Sequence, residues 1–271
     1  MRGCAGAQVR RMRGYKKVSD PIAEVPPGIP APAHPRTSAP AHHPGLVAVA
    51  EIVLCSSIPT QLAISGVLRL AGWDTSISSL PFVMTVALGD TVVVITLMIA
   101  LLHAHGESAS RLWLGDRPLK REALLGLLFV PLLLIGGNLL LNTVRLFLPG
   151  LHNVPNNPLE QLARNPANSA VLAIVVILAG GVKEELQRAF LLRRFEQHLG
   201  GAGVGALVVS VLFGLAHYPQ GWDAAIIIGA IGLFWAVVYL RRRSTVAPIV
   251  SHAAFDSLQV IALAFAGQAG A

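Results

Sequence analysis

From residue 46 onward the chain is a succession of apolar stretches, at about 46–72, 80–103, 123–148, 169–192, 202–218, 222–240 and 245–267. Each is close to the length that crosses ~30 Å of hydrocarbon at about 1.5 Å per residue. A backbone in lipid must satisfy its own N–H and C=O groups, which a helix does internally. The expectation is an all-α, polytopic membrane helix bundle of about seven transmembrane helices. Composition points the same way: 54% of residues are hydrophobic, 13% are charged and the mean hydropathy is +0.62. Soluble domains run at roughly 45–50% apolar and ~25% charged.

Residues 1–45 differ from everything after them. They are rich in Pro, Ala, His and Arg and carry no apolar periodicity, so they read as a disordered basic arm. No apolar stretch follows Arg10, Arg11, Arg13, Lys16 and Lys17 closely enough to make a cleavable signal peptide. The formal charge of +7 comes without aromatic-basic interleaving or zinc-knuckle spacing, which argues against nucleic acid as a partner. It reads instead as topology. The arm, Arg111, Arg117, Lys120 and Arg121, Arg193 with Arg194, and Arg241 to Arg243 fall on one side of the predicted spans. Arg69, Arg145 and Arg164 fall on the other. The positive-inside rule then puts the N-terminus in the cytoplasm and the C-terminus outside. Cys4 and Cys55 are far apart and belong to no metal or disulfide pattern.

An ionised side chain at the centre of a membrane helix costs roughly 2.5–3.5 kcal/mol on insertion scales, so intramembrane acids and histidines are functional candidates. Three clusters of them occur late in the chain. Glu184 lies nine residues before Arg193 and His252 nine residues after Arg243, about 13 Å into the membrane at the helical rise. His217 is as far past the Gly200–Gly201 turn as Glu184 is before it, so an antiparallel hairpin would set the two opposite each other. Pro219 and Gly221 then break the backbone at membrane depth, which is tolerated beside protein or a water-filled cavity. Asp256 is four residues past His252, on the same helix face, and can fix the tautomer of that imidazole. Arg188 can keep one of Glu184 and Glu185 ionised while the other is free for proton transfer. Taken one at a time, these groups have plainer readings: an interfacial cluster snorkelling to the surface, a loop histidine, and a helix-packing hydrogen bond. Glu51 and Asp90 read as packing or cavity residues.

Glu184-Glu185 with Arg188, then Phe213 four residues before His217, then His252 four residues before Asp256 resemble the three motifs of the CPBP intramembrane protease family, EExxxR, FxxxH and HxxxN or HxxxD. That family includes the CAAX prenyl endopeptidases and bacteriocin-processing proteins. The resemblance covers about residues 169–262 and divides the chain into the arm 1–45, N-terminal membrane helices 46–168 and a catalytic membrane domain 169–267. It implies hydrolysis of a peptide bond in a membrane-associated protein or peptide without a covalent intermediate. Glu184 and His217 would activate water, and His252, supported by Asp256, would stabilise the oxyanion. Glu185, Arg188 and Phe213 would support them. Here the arginine comes one residue early, which leaves Glu185 open as an alternative base. Asp256 in place of Asn lacks a donor unless protonated. No cofactor is expected; the alternative is zinc on Glu184, His217 and His252, a reasonable ligand set although the sequence has no HExxH. The rival functions are a catalytically silent membrane scaffold of the same fold and a proton-coupled transporter. The richness in Ala, Gly and Arg suggests a bacterial inner membrane protein.

Overall fold

The computed structural model describes residues 44–269, so the expectation of a disordered arm falls almost wholly outside the described residues. These residues form helices α1 (Pro44–Leu54), α2 (Ile58–Leu70), α3 (Leu80–Ala104), α4 (Ala109–Trp113), α5 (Leu119–Phe147), α6 (Pro158–Arg164), α7 (Pro166–Val175), α8 (Glu185–His198), α9 (Ala202–Ala216), α10 (Trp222–Arg242) and α11 (Val246–Ala269). There is no strand among the described residues. Between α7 and α8 the chain stays helical but widens into a π-helix, Val176–Glu184, so that helix is continuous from Pro166 to His198.

Local chemistry sets the ends of these helices. Pro166 occupies the first position of α7, where its missing N–H costs nothing, and the Asn165 side chain accepts from the free amides of Ala167 and Asn168. Ser108 caps α4 in the same way through Arg111 N–H. The α8–α9 turn needs two successive residues with positive φ, and Gly200 (88°) and Gly201 (94°) supply them. The first predicted span is interrupted: Cys55, Ser56 and Ser57 break it between α1 and α2, with Ser57 at φ 69°.

Five helical segments are long and apolar enough to cross a bilayer: Pro44–Leu70, Leu80–Ala104, Leu119–Phe147, Trp222–Arg242 and Val246–Gln268. The remaining two predicted spans correspond to the charged run Pro166–His198 and to the 15-residue α9. Large apolar side chains face outward in rows. On α5, Leu128, Leu132, Ile135 and Leu139 follow one another at helical spacing and all are exposed. Such a stripe would be costly in water and is at home in acyl chains. The chain is an integral membrane protein built as a polytopic helix bundle.

The helix ends gather at two poles. At one pole Thr245 Oγ1 donates to the Trp113 carbonyl (2.8 Å), Arg117 Nε to the Arg242 carbonyl (2.9 Å), and Arg243 pairs with Glu196. The other pole holds Asp223, which accepts from Arg145 Nε and His152 Nδ1, both at 2.8 Å, and Asn153, which accepts from Trp222 N–H. The described basic segments assigned to the cytoplasm, at 111–121, 193–194 and 241–243, therefore share one pole, and Arg145 lies at the opposite one.

Candidate active site

The buried face of α8 packs against α9 and α10, and its first residue, Glu185, reaches His252 on α11. Two glycines in the π-helix make the approach possible. A Cβ on Gly181 would stand 2.5 Å from Ala253 Cβ, and one on Gly180 would stand 2.9 Å from Asp256 Oδ2 and 3.8 Å from His252 Nε2. On α9, Gly214 lets the α10 backbone come equally close, and on α10 Gly232 leaves room for Phe213.

Within this junction His252 is the hub. Its Nδ1 is 2.8 Å from Glu185 Oε1, and its Nε2 is 3.4 Å from Asp256 Oδ2 and 3.9 Å from Glu184 Oε2. A carboxylate can only accept at Nδ1, so Glu185 fixes the proton there and orients the ring. The Trp235 indole stacks on the imidazole at 3.8 Å between centroids and 19° between planes, while its own Nε1 donates to Ser251 Oγ (3.0 Å). Glu185 is fully buried and also accepts from Arg188, whose guanidinium lies 4.6 Å over the Phe213 ring and 5.5 Å over that of Trp235. Glu185 has both Arg188 and His252 as partners, which offsets part of the cost of burying the charges in low dielectric, although Arg188 Nε has no hydrogen-bond partner among the described residues.

Glu184 differs from its neighbour. Its carboxylate faces the Nε2 side of His252, its side chain is 22% exposed, and among the described residues no guanidinium pairs with it. Of the two acids left open by the sequence, Glu185 is spent on structure and Glu184 has lone pairs free for a ligand or a proton.

His217 ends α9, where its Nδ1 donates to the Phe213 carbonyl (2.8 Å), leaving Nε2 with its lone pair. Phe213 stands between the two imidazoles, 4.8 Å from the ring of His217 and 6.2 Å from that of His252. The sum of those separations bounds the histidine rings to within about 11 Å of each other. The structure thus brings Glu184, Glu185, Arg188, His252 and Asp256 into direct contact and joins His217 to them through Phe213. Of the two histidines expected beside it, Glu184 meets His252 directly, at 3.9 Å.

Glu184, His217 and His252 do not assemble as a ligand set here: among the described residues no three His, Cys, Asp or Glu side chains are grouped closely enough to hold a metal ion.

Residues 166–258 match the family model described as type II CAAX prenyl endopeptidase Rce1-like. The match supports the resemblance of this segment to the CPBP family. The match covers about a third of the chain and takes in all three CPBP motifs, from the start of α7 to just past Asp256. No curated protein and no solved structure matches the chain.

Sequence reasoning missed two parts of this site and one contact beside it. Trp235 looked like one more aromatic in an apolar helix. Gly180 and Gly181 carried a usable signal, since paired glycines mark a close helix crossing, here with Gly181 against Ala253. The third is the partner of Lys183: the lysine turns away from the site towards Asp90 on α3, where its Nζ is 3.1 Å from Oδ2.

Proposed function

We propose that this protein is an intramembrane endopeptidase that hydrolyses a peptide bond of a membrane-associated protein or peptide. In this reading Glu184, helped by the lone pair on His217 Nε2, takes a proton from a water molecule as that water adds to the scissile carbonyl. His252, doubly protonated between Glu185 at Nδ1 and Asp256 at Nε2, donates from Nε2 to the developing oxyanion. The proton held by Glu184 then passes to the leaving amine as the oxyanion collapses and the C–N bond breaks, which returns Glu184 to its carboxylate. Glu185 and Arg188 fix His252 and take no proton. The cell membrane of a bacterium is the proposed location.

The observation that carries this reading is the contact chain through all three motifs: Phe213 under Arg188, Arg188 on Glu185, Glu185 on His252, and His252 between Asp256 and Glu184. Five expensive polar groups, Arg188, Glu185, His252, Asp256 and Glu184, are drawn to one place in the membrane, with the Glu184 carboxylate left uncommitted. A scaffold would need no uncommitted carboxylate.

The test is a comparison of membrane proteomes from cells carrying the wild type or Glu184→Ala. The expected result is a fragment, with a new terminus, that is present with the wild type and lost in the variant. Identical proteomes would overturn the proposal. A peptide spanning the new terminus then serves as substrate for the purified protein. Cleavage of that peptide should survive strong chelation; loss on chelation with recovery on added Zn²⁺ would replace glutamate chemistry with metal chemistry.

A further inference from the structure

A second buried polar cluster lies on the opposite side of the π-helix, and the reaction as proposed makes no use of it. Lys183, 3% exposed, places Nζ 3.1 Å from Asp90 Oδ2 and 3.2 Å from Ser57 Oγ. Asp90, 0% exposed, also accepts from Thr60 Oγ1 and from Gln61 Nε2 (3.3 Å). One turn after Lys183, Gln187 donates to Ser57 Oγ (3.1 Å) and to the Cys55 carbonyl. The cluster is built on the break between α1 and α2, where Ser57 adopts a left-handed conformation that costs free energy for a residue with a Cβ. A chain break, an αL serine and a buried ion pair have been assembled in a membrane segment around one ammonium group.

We propose, resting on the reading of Glu184 as the base, that Lys183 and Asp90 are positioning residues: their ion pair holds the π-helix in register and so holds the Glu184 carboxylate at His252. A π-helix is less favourable than an α-helix and persists where surrounding contacts demand it. Lys183 and Glu184 are consecutive and occupy the last two positions of that segment. On one side Lys183 and Gln187 tie it to α2, α3 and the break; on the other Glu185 and Arg188 tie it to α9 and α11. If the segment tightened to an α-helix by one residue, each side chain after it would turn by about 100°. Glu184 would then leave His252. Glu185 has two partners to resist such a turn, whereas Glu184 has no strong partner of its own and takes its place from the backbone that Lys183 anchors.

The test compares two double variants that both remove the buried charges. Lys183→Met with Asp90→Asn cuts the connection. Lys183→Gln with Asp90→Gln keeps the combined side-chain reach and replaces the ion pair with a hydrogen bond. In purified protein, with the peptide spanning the cleavage site as probe, the first should lower kcat at least tenfold with KM changed less than twofold. Amide hydrogen exchange across 176–184 should also quicken. The second should recover most of kcat and of the exchange protection. Wild-type kcat in the folded Met/Asn variant would overturn the proposal. Equal losses in both variants, with protection unchanged, would overturn it too, in favour of a direct effect of charge. Failure of the Met/Asn variant to insert while the Gln/Gln variant is inserted and active supports the tie. Glu184→Gln serves as the separate control: if it keeps full activity, the function assigned to Glu184 fails, whereas an inactive Glu184→Gln beside a fully active Met/Asn variant defeats the positioning role alone.

Discussion

At Gly181 an added Cβ would meet Ala253 Cβ at 2.5 Å and Ala253 Cα at 2.9 Å, and neither atom can swing aside. Gly181→Ala should therefore lower stability by about 1–3 kcal/mol, the usual range for overpacking, seen as a lower thermal midpoint in detergent. Gly180→Ala meets only the end of a flexible side chain, Asp256 Oδ2 at 2.9 Å. It should keep the midpoint near that of the wild type yet lose turnover, because Asp256 is pushed off His252. Equal effects of the two alanines on the midpoint would contradict this account of the junction. Residues such as Glu184, His217 and His252 were legible in the sequence because charge and imidazole are costly in lipid and stand out there. Trp235 was not, since an indole is ordinary in a membrane helix and its stacking on His252 depends on helix rotation, which apolar periodicity in lipid does not encode.

Helix existence was equally legible, but helix irregularity was not. The break at Cys55–Ser57 and the π-helix Val176–Glu184 lie inside apolar runs that read as uniform spans, and both are held by tertiary partners distant in sequence. The pole assigned to the cytoplasm is tied by ion pairs between helix ends. Arg243 hydrogen-bonds Glu196 and holds its carboxyl below the usual 4.5. Glu107 is pushed up by partial burial, but Arg194 and Arg193 outweigh this and leave it also below 4.5. A depressed carboxylate contributes stability that is present above its unfolded value and is lost as pH falls through the folded one. Acidification below about 4.5 should thus loosen this pole, with faster hydrogen exchange at 193–198 and 241–245. Glu196→Gln should remove part of that pH dependence. An unchanged profile in Glu196→Gln would show that the pair carries no such linkage.

For the whole molecule, alternation of helix ends between the two poles together with the positive-inside rule predicts a reporter at Gly106 on the cytoplasmic side and one at Ala271 on the other. Both reporters on one side would sink the seven-span expectation. The central claim is that side chains from α8, α9 and α11, with the π-helix, form one hydrolytic centre whose base is Glu184. Glu184→Gln tests it most directly, because the amide keeps the shape of the carboxylate and cannot take a proton from water. In purified, folded protein acting on the peptide that spans the cleavage site, turnover should fall by at least the ~10²–10⁴ typical of lost general base catalysis, with the thermal midpoint kept. Full activity of Glu184→Gln would contradict the claim.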